Sequence, residues 1–233
     1  MRLLLLHGAL GSHHQLMPLR DCLRDELPRK RVDILEFVGH GNTDDVDANW
    51  TIELFSHQLA DYLREHGPHA IFGYSMGGYV AMHLALNGGH LLCPHIITLG
   101  TKLEWSLQTA MGEVARLHPD TLVAKVPAYA ADLQRRHGEH RWHTTLEKTS
   151  TMMQTLAERP LLTTSNIGAM KSAVRYMVGD SDAMVTVEET LAFYRATPGA
   201  ELAVLAATKH PIERVDVDTV VHHVRQFLYD NPA

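Results

Sequence analysis

Six short apolar runs punctuate the chain, and between most of them the apolar residues recur at helical intervals. Residues 2–6, 32–35, 69–74, 95–99, 173–178 and 201–206 are the length of strands rather than of buried helices. Runs as continuous as Leu3-Leu4-Leu5-Leu6 predict strands covered on both faces, since neither face alternates toward water. Elsewhere the period changes. Leu16, Leu19, Leu23 and Leu27 fall on one face of a helix predicted over 14–27, which Pro28 stops. Thr51 is placed to cap a second helix that runs to about His66, with Leu54, Leu59, Tyr62 and Leu63 as its buried face. A third begins behind Ser75 and ends near Asn87 at Gly88-Gly89. Two more are predicted over 186–196 and about 214–229.

Strands alternating with helices imply an α/β fold with a mostly parallel sheet of about six strands and helices on both faces. Residues 101–170 break the alternation, with helical periodicity and few strand-like runs. We read them as an inserted helical cap, with 1–100 and 171–233 as the core. Ligands of such sheets sit at the carboxyl ends of the strands.

Composition narrows the function classes. With 233 residues the chain can bury a sizeable core, and 45% apolar against 21% charged residues is ordinary for a globular protein. The net charge of -6 and the lack of a basic patch argue against a nucleic-acid partner. No apolar run approaches the length needed to cross a bilayer, and Leu3–Leu6 is too short for a signal-peptide core. Cys22 and Cys93 make neither a disulfide framework nor a metal site, so a cytoplasmic location is expected. The 17 histidines are scattered without metal-ligand spacing; most are expected at the surface or as caps, and no cofactor or metal is called for.

The chemistry centres on Ile71-Phe72-Gly73-Tyr74-Ser75-Met76-Gly77-Gly78, where G-x-S-x-G joins a strand to a helix. Such an elbow lifts the serine hydroxyl above the sheet, and small residues beside it admit the tight turn. A serine hydroxyl needs a base to act as a nucleophile. His210, in Lys209-His210-Pro211, is the histidine placed behind a late strand end and is the candidate base. The supporting acid should follow the preceding strand, where Asp180 and Asp182 are both available and local chemistry alone does not choose. Oxyanion donors are expected from the N–H of Met76 and from the loop after the first strand, at Ala9.

These motifs, with His7-Gly8-Ala9-Leu10-Gly11, Gly39-His40-Gly41 and Gly179-Asp180-Ser181-Asp182-Ala183-Met184-Val185, together resemble the α/β-hydrolase superfamily over nearly the whole chain. The resemblance implies the α/β-hydrolase fold, the catalytic set Ser75, Asp182 and His210, and the oxyanion donors Ala9 and Met76. Its acid motif G-x-x-D-x-x-V selects Asp182, with Asp180 as runner-up. It also implies hydrolysis of a small carboxylic ester or thioester. The length, early first strand and short cap resemble, too, the menaquinone-pathway synthase, in which the same set promotes elimination and arginines clamp carboxylates. Arg116, Arg135, Arg136 and Arg141 are candidates for that clamp, and C–C bond hydrolysis belongs with this alternative. A binding module that kept the fold and lost the chemistry is a third possibility, against which the intact serine, histidine and acid argue. Trp105, Met111, Trp142, Met152 and Met153 are the cap residues placed to line an apolar pocket.

Overall fold

The computed structural model describes residues 2–27, 31–44 and 48–231. Pro28, expected to stop the first helix, lies outside the described residues. In chain order the elements are β1 (Arg2–Leu6), α1 (His13–Glu26), β2 (Val32–Leu35), α2 (Ile52–His66), β3 (His69–Tyr74), α3 (Met76–Leu86) and β4 (His95–Leu99). Four helices follow: α4 (Leu107–Arg116), α5 (Pro119–Lys125), α6 (Pro127–His137) and α7 (Trp142–Glu158). The chain closes with β5 (Ala173–Gly179), α8 (Val187–Ala196), β6 (Glu201–Leu205) and α9 (Val217–Asp230).

All six strands lie in one parallel sheet of order β2-β1-β3-β4-β5-β6. Alternate strand residues feed two cores. Leu4, Leu6, Ile71, Ile96 and Val174 pack on the side of α2, α3 and α8, and Leu3, Leu5, Phe72, Ile97 and Met177 on the side of α1 and α9. This two-sided burial is why Leu3–Leu6 are inaccessible to solvent.

The α1 face is as predicted, with Leu16, Leu19, Leu23 and Leu27 buried. The α2 face agrees in part: Leu59 and Leu63 are buried as predicted, together with Ile52, Phe55 and Ala60, whereas Leu54 and Tyr62 pack at its margin. Thr51 does cap α2, its side chain accepting from the Leu54 N–H at 3.1 Å. The last helix starts later than expected, because Ile212–Arg214 form a separate 3-10 turn and Val215 is extended. No helix among the described residues is long and apolar enough to cross a membrane.

The chain runs from β1 outward to β2 and then returns to the other side of β1 as β3, so the strand order reverses between β1 and β3. A crevice opens at such a reversal, beyond the carboxyl ends of the strands. Here the two strand ends approach so closely that glycine is required. A Cβ on Gly77 would stand 2.6 Å from the Leu6 carbonyl and 2.8 Å from that of His7, both backbone atoms. Replacing Gly77 with alanine is therefore expected to cost about 1–3 kcal/mol of overpacking, read as a lowered urea midpoint. An unchanged midpoint would contradict this packing.

Candidate active site

Ser75 sits between β3 and α3 with φ 50° and ψ -117°, a conformation that L-residues avoid. Holding it costs on the order of 1–3 kcal/mol, so the surroundings must over-determine it. They do so from the end of β4. The Ser75 N–H donates to the Leu99 carbonyl at 2.9 Å, and the Thr101 hydroxyl donates to the Ser75 carbonyl at 3.0 Å. Met76 opens α3, where backbone N–H groups have no partner within the helix.

Asp182 and His210 come together from the loops after β5 and β6. Asp182 Oδ2 accepts from His210 Nδ1 at 2.8 Å. Its Oδ1 accepts from the N–H groups of Met184 at 2.8 Å and Val185 at 2.9 Å. Burial alone pushes this carboxyl up, but the His210 hydrogen bond and charge and the two amides pull it below the usual carboxylate range. An ionised Asp182 draws the ring proton to Nδ1, which leaves Nε2 of His210 as a proton acceptor. Asp180 stands apart: it is exposed and accepts from the Ser181 hydroxyl at 2.9 Å. Two further residues shape this pair. The Tyr74 hydroxyl donates to the His210 carbonyl at 3.0 Å. Gly100, at φ +57°, lies beneath the pair, where a Cβ would be 3.2 Å from Asp182 Oδ2 and 3.3 Å from His210 Nδ1.

Residues 8–11 form a tight turn after β1. His7 Nε2 accepts from the Phe37 N–H at 3.1 Å, so its proton is on Nδ1, which donates to the Gly8 carbonyl at 2.8 Å. The Gly11 N–H donates to the same carbonyl at 3.0 Å. In a trans peptide the C=O and the following N–H point in opposite directions. Two donors on the Gly8 oxygen therefore direct the Ala9 N–H away from them.

Ala9, Ser75, Met76 and His210 line one cavity of about 650 Å³. Ile52, Tyr79, Trp105, Met152, Met153 and Leu156 make much of its wall apolar. Of the cap residues expected there, Met111 is instead exposed to solvent, and Trp142 is buried in a cluster with Leu10, Leu122, Ala130, Leu133 and Leu146. Of the four arginines, only Arg136 reaches the cavity. It is paired with Asp132 and donates to the Leu10 carbonyl at 2.7 Å. Arg116 and Arg135 are exposed and pair with Glu113 and Asp132 on their own helices. Arg141 donates to the carbonyls of Thr43 at 2.7 Å and Gly41 at 2.9 Å. Among the described residues no group of three His, Cys, Asp or Glu side chains could hold a metal ion.

The sequence matches the model of the Alpha/beta hydrolase family over residues 3–222. The chain belongs to this family. Its fold is similar to that of NosK from Streptomyces actuosus, with a TM-score of 0.82 and 21% identity over 98% of this chain and 97% of that one. A thermophilic esterase from Thermogutta terrifontis is similar at a TM-score of 0.74 and 22% identity, over 99% of this chain and 90% of that one. A 2-succinyl-6-hydroxy-2,4-cyclohexadiene-1-carboxylate synthase from Yersinia pseudotuberculosis serotype O:1b (strain IP 31758) is 32% identical over 117 residues. That match covers 49% of this chain and 40% of the relative, so the chain matches less than half of the relative's length.

Within this alpha/beta hydrolase, sequence reasoning missed a buried set of imidazoles beside the turn 8–11. His7, His40 and His137 are fully or almost fully buried, and so, elsewhere, are His69 and His95. His40 lies between the other two, with ring centroids 5.1 Å from His7 and 5.8 Å from His137, and stacks on Trp50 at 4.4 Å. His137 Nδ1 accepts from the Gly41 N–H at 3.1 Å, so its Nε2–H donates to the Leu10 carbonyl at 3.0 Å. No periodicity flags His137, which follows two arginines at the end of a charged helix. Burial pushes His7 and His137 down to about 4, and His40 is also lowered well below its ordinary value.

An unfolded chain takes up protons on these rings near pH 6.5, the folded chain only near 4 for His7 and His137. The stability that their neutral burial implies is complete above about pH 6.5 and is lost as pH falls toward 4. At pH 5 the loss should be on the order of 2 kcal/mol per ring for His7 and His137. Urea titrations at pH 7 and pH 5 measure it; equal midpoints would contradict buried, neutral rings.

Proposed function

We propose that this protein is a serine hydrolase that cleaves a small carboxylic ester or thioester through an acyl-enzyme on Ser75. The observation that carries the reading is the Asp182–His210 hydrogen bond at the rim of a cavity that Ser75, Ala9 and Met76 also line. His210 Nε2 takes the Ser75 proton as the hydroxyl attacks the carbonyl carbon. Asp182 keeps the imidazole in its Nδ1–H form and stabilises the imidazolium. The N–H groups of Ala9 and Met76 receive the oxyanion, and the partial positive charge at the start of α3 adds to them. His210 then returns the proton to the leaving alcohol or thiol. Water, activated by the same imidazole, releases the acid. The apolar wall suits an apolar substituent, and Met152, Met153 and Met184 along it adapt to its shape. Both cysteines are free, which accords with the cytoplasmic location we propose.

The partial match to the Yersinia synthase supports a second reading, in which the same residues catalyse a C–C elimination or hydrolysis. The ester reading is preferred because Arg136, the one of the four arginines named from the sequence that reaches the cavity, is already engaged by Asp132, Glu213 and the Leu10 carbonyl.

A panel of p-nitrophenyl esters of rising acyl length tests the proposal. Ser75→Ala should lower kcat by about 10³-fold or more, and Asp182→Asn by about 10³–10⁴-fold. Asp180→Asn should leave turnover unchanged. Absence of turnover on every ester, with Ser75 still labelled by a fluorophosphonate, would favour the elimination reading. A serine inert to the label would sink both readings and leave a binding module.

A further inference from the structure

Leu10 is one of the residues at which the cap and the core meet. Its backbone has φ 58°, outside the range that leucine prefers. Its side chain is buried in the cap's own apolar cluster, against Leu122, Ala130, Leu133, Trp142 and Leu146. Its carbonyl accepts from Arg136 Nη1 at 2.7 Å and from His137 Nε2 at 3.0 Å, both at the end of α6. Side chain and carbonyl are thus both held by the cap, which is what a left-handed leucine needs in order to persist.

We propose that His137, with Arg136, is a positioning residue for the oxyanion donor at Ala9, acting through the Leu10 carbonyl. The proposal rests on the reading of Ala9 as an oxyanion donor. Two planar peptides carry the constraint. Fixing the Leu10 oxygen fixes the N–H of Gly11 in the same peptide unit, and that N–H donates to the Gly8 carbonyl at 3.0 Å. Fixing the Gly8 oxygen in turn fixes the Ala9 N–H in its own peptide unit. The docked cap therefore presets a donor that belongs to the core. His137 makes the coupling two-sided, because its Nδ1 accepts from Gly41 N at 3.1 Å in the loop after β2. Arg141 docks the cap on that same loop through Gly41 and Thr43, without touching Leu10.

The test uses the rate at which a fluorophosphonate modifies Ser75, since that adduct needs the oxyanion donors but no knowledge of the substrate. His137→Leu removes both hydrogen bonds and should slow the modification by about 10–100-fold, less than the outright loss of one donor. With an ester that turns over, the loss should fall on kcat and leave KM within a small factor. His137→Gln, which can both donate and accept, should recover the rate to within about threefold of wild type. Arg141→Met loosens the cap away from Leu10; it should lower the melting temperature and leave the rate at the wild-type value. A wild-type rate in His137→Leu overturns the proposal, and so does an equal slowing in Arg141→Met. Should His137→Leu not fold, Arg136→Met takes its place with the same expected slowing. A wild-type Ser75 inert to the label overturns both this proposal and the hydrolase reading. A reactive Ser75 without ester turnover overturns the ester reading alone and leaves the modification rates to decide this one.

Discussion

Everything at this site depends on how closely the ends of β1 and β3 approach one another. The turn after β1 and the elbow after β3 occupy the same crevice, where the strand order of the sheet reverses. A Cβ on Gly8 would stand 3.1 Å from the Ser75 Cβ, and one on Gly77 would meet the carbonyls that end β1. Separations this short bring the turn after β1 and the start of α3 to one cavity with Ser75. The strain in Ser75 is a consequence of the same crowding, and the end of β4 absorbs it through Leu99 and Thr101.

Around that contact the rest of the candidate site is delivered by separate loops. Asp182 comes from the end of β5 and His210 from beyond β6; two backbone amides hold the carboxylate, and the Tyr74 hydroxyl holds the histidine carbonyl. Gly100 leaves the space in which the two meet. Four loops thus supply one site, each fixed by hydrogen bonds that its own backbone makes.

Much of this was legible in the sequence because it depends on local rules. Strands buried on both faces are apolar runs, and the six runs appear as six parallel strands within a residue or so. G-x-S-x-G announces the elbow because only small residues fit there. The choice of Asp182 over Asp180 came from the family motif, and the structure brings Asp182, not Asp180, to the imidazole. What stayed illegible depends on contacts between distant segments. The positive φ of Leu10 leaves no mark in a leucine. His137 reads as one more polar residue on a charged helix until α6 is laid against the loops after β1 and β2. On α2 the sequence placed Leu59 and Leu63 correctly, and only the packing against the core shows that Ile52, Phe55 and Ala60 complete the buried face while Leu54 and Tyr62 sit at its margin.

The bond from Tyr74 to the His210 carbonyl has a consequence for motion. His210 follows β6, an edge strand that is only partly covered, with Val204 46% exposed. A loop hung from such an edge would ordinarily share its fluctuations. Tyr74 belongs to β3, flanked on both sides and buried along its length. Tethered there, the imidazole takes its rigidity from the middle of the sheet, on the strand that leads into Ser75, so residues 75 and 210 drift together when the periphery breathes.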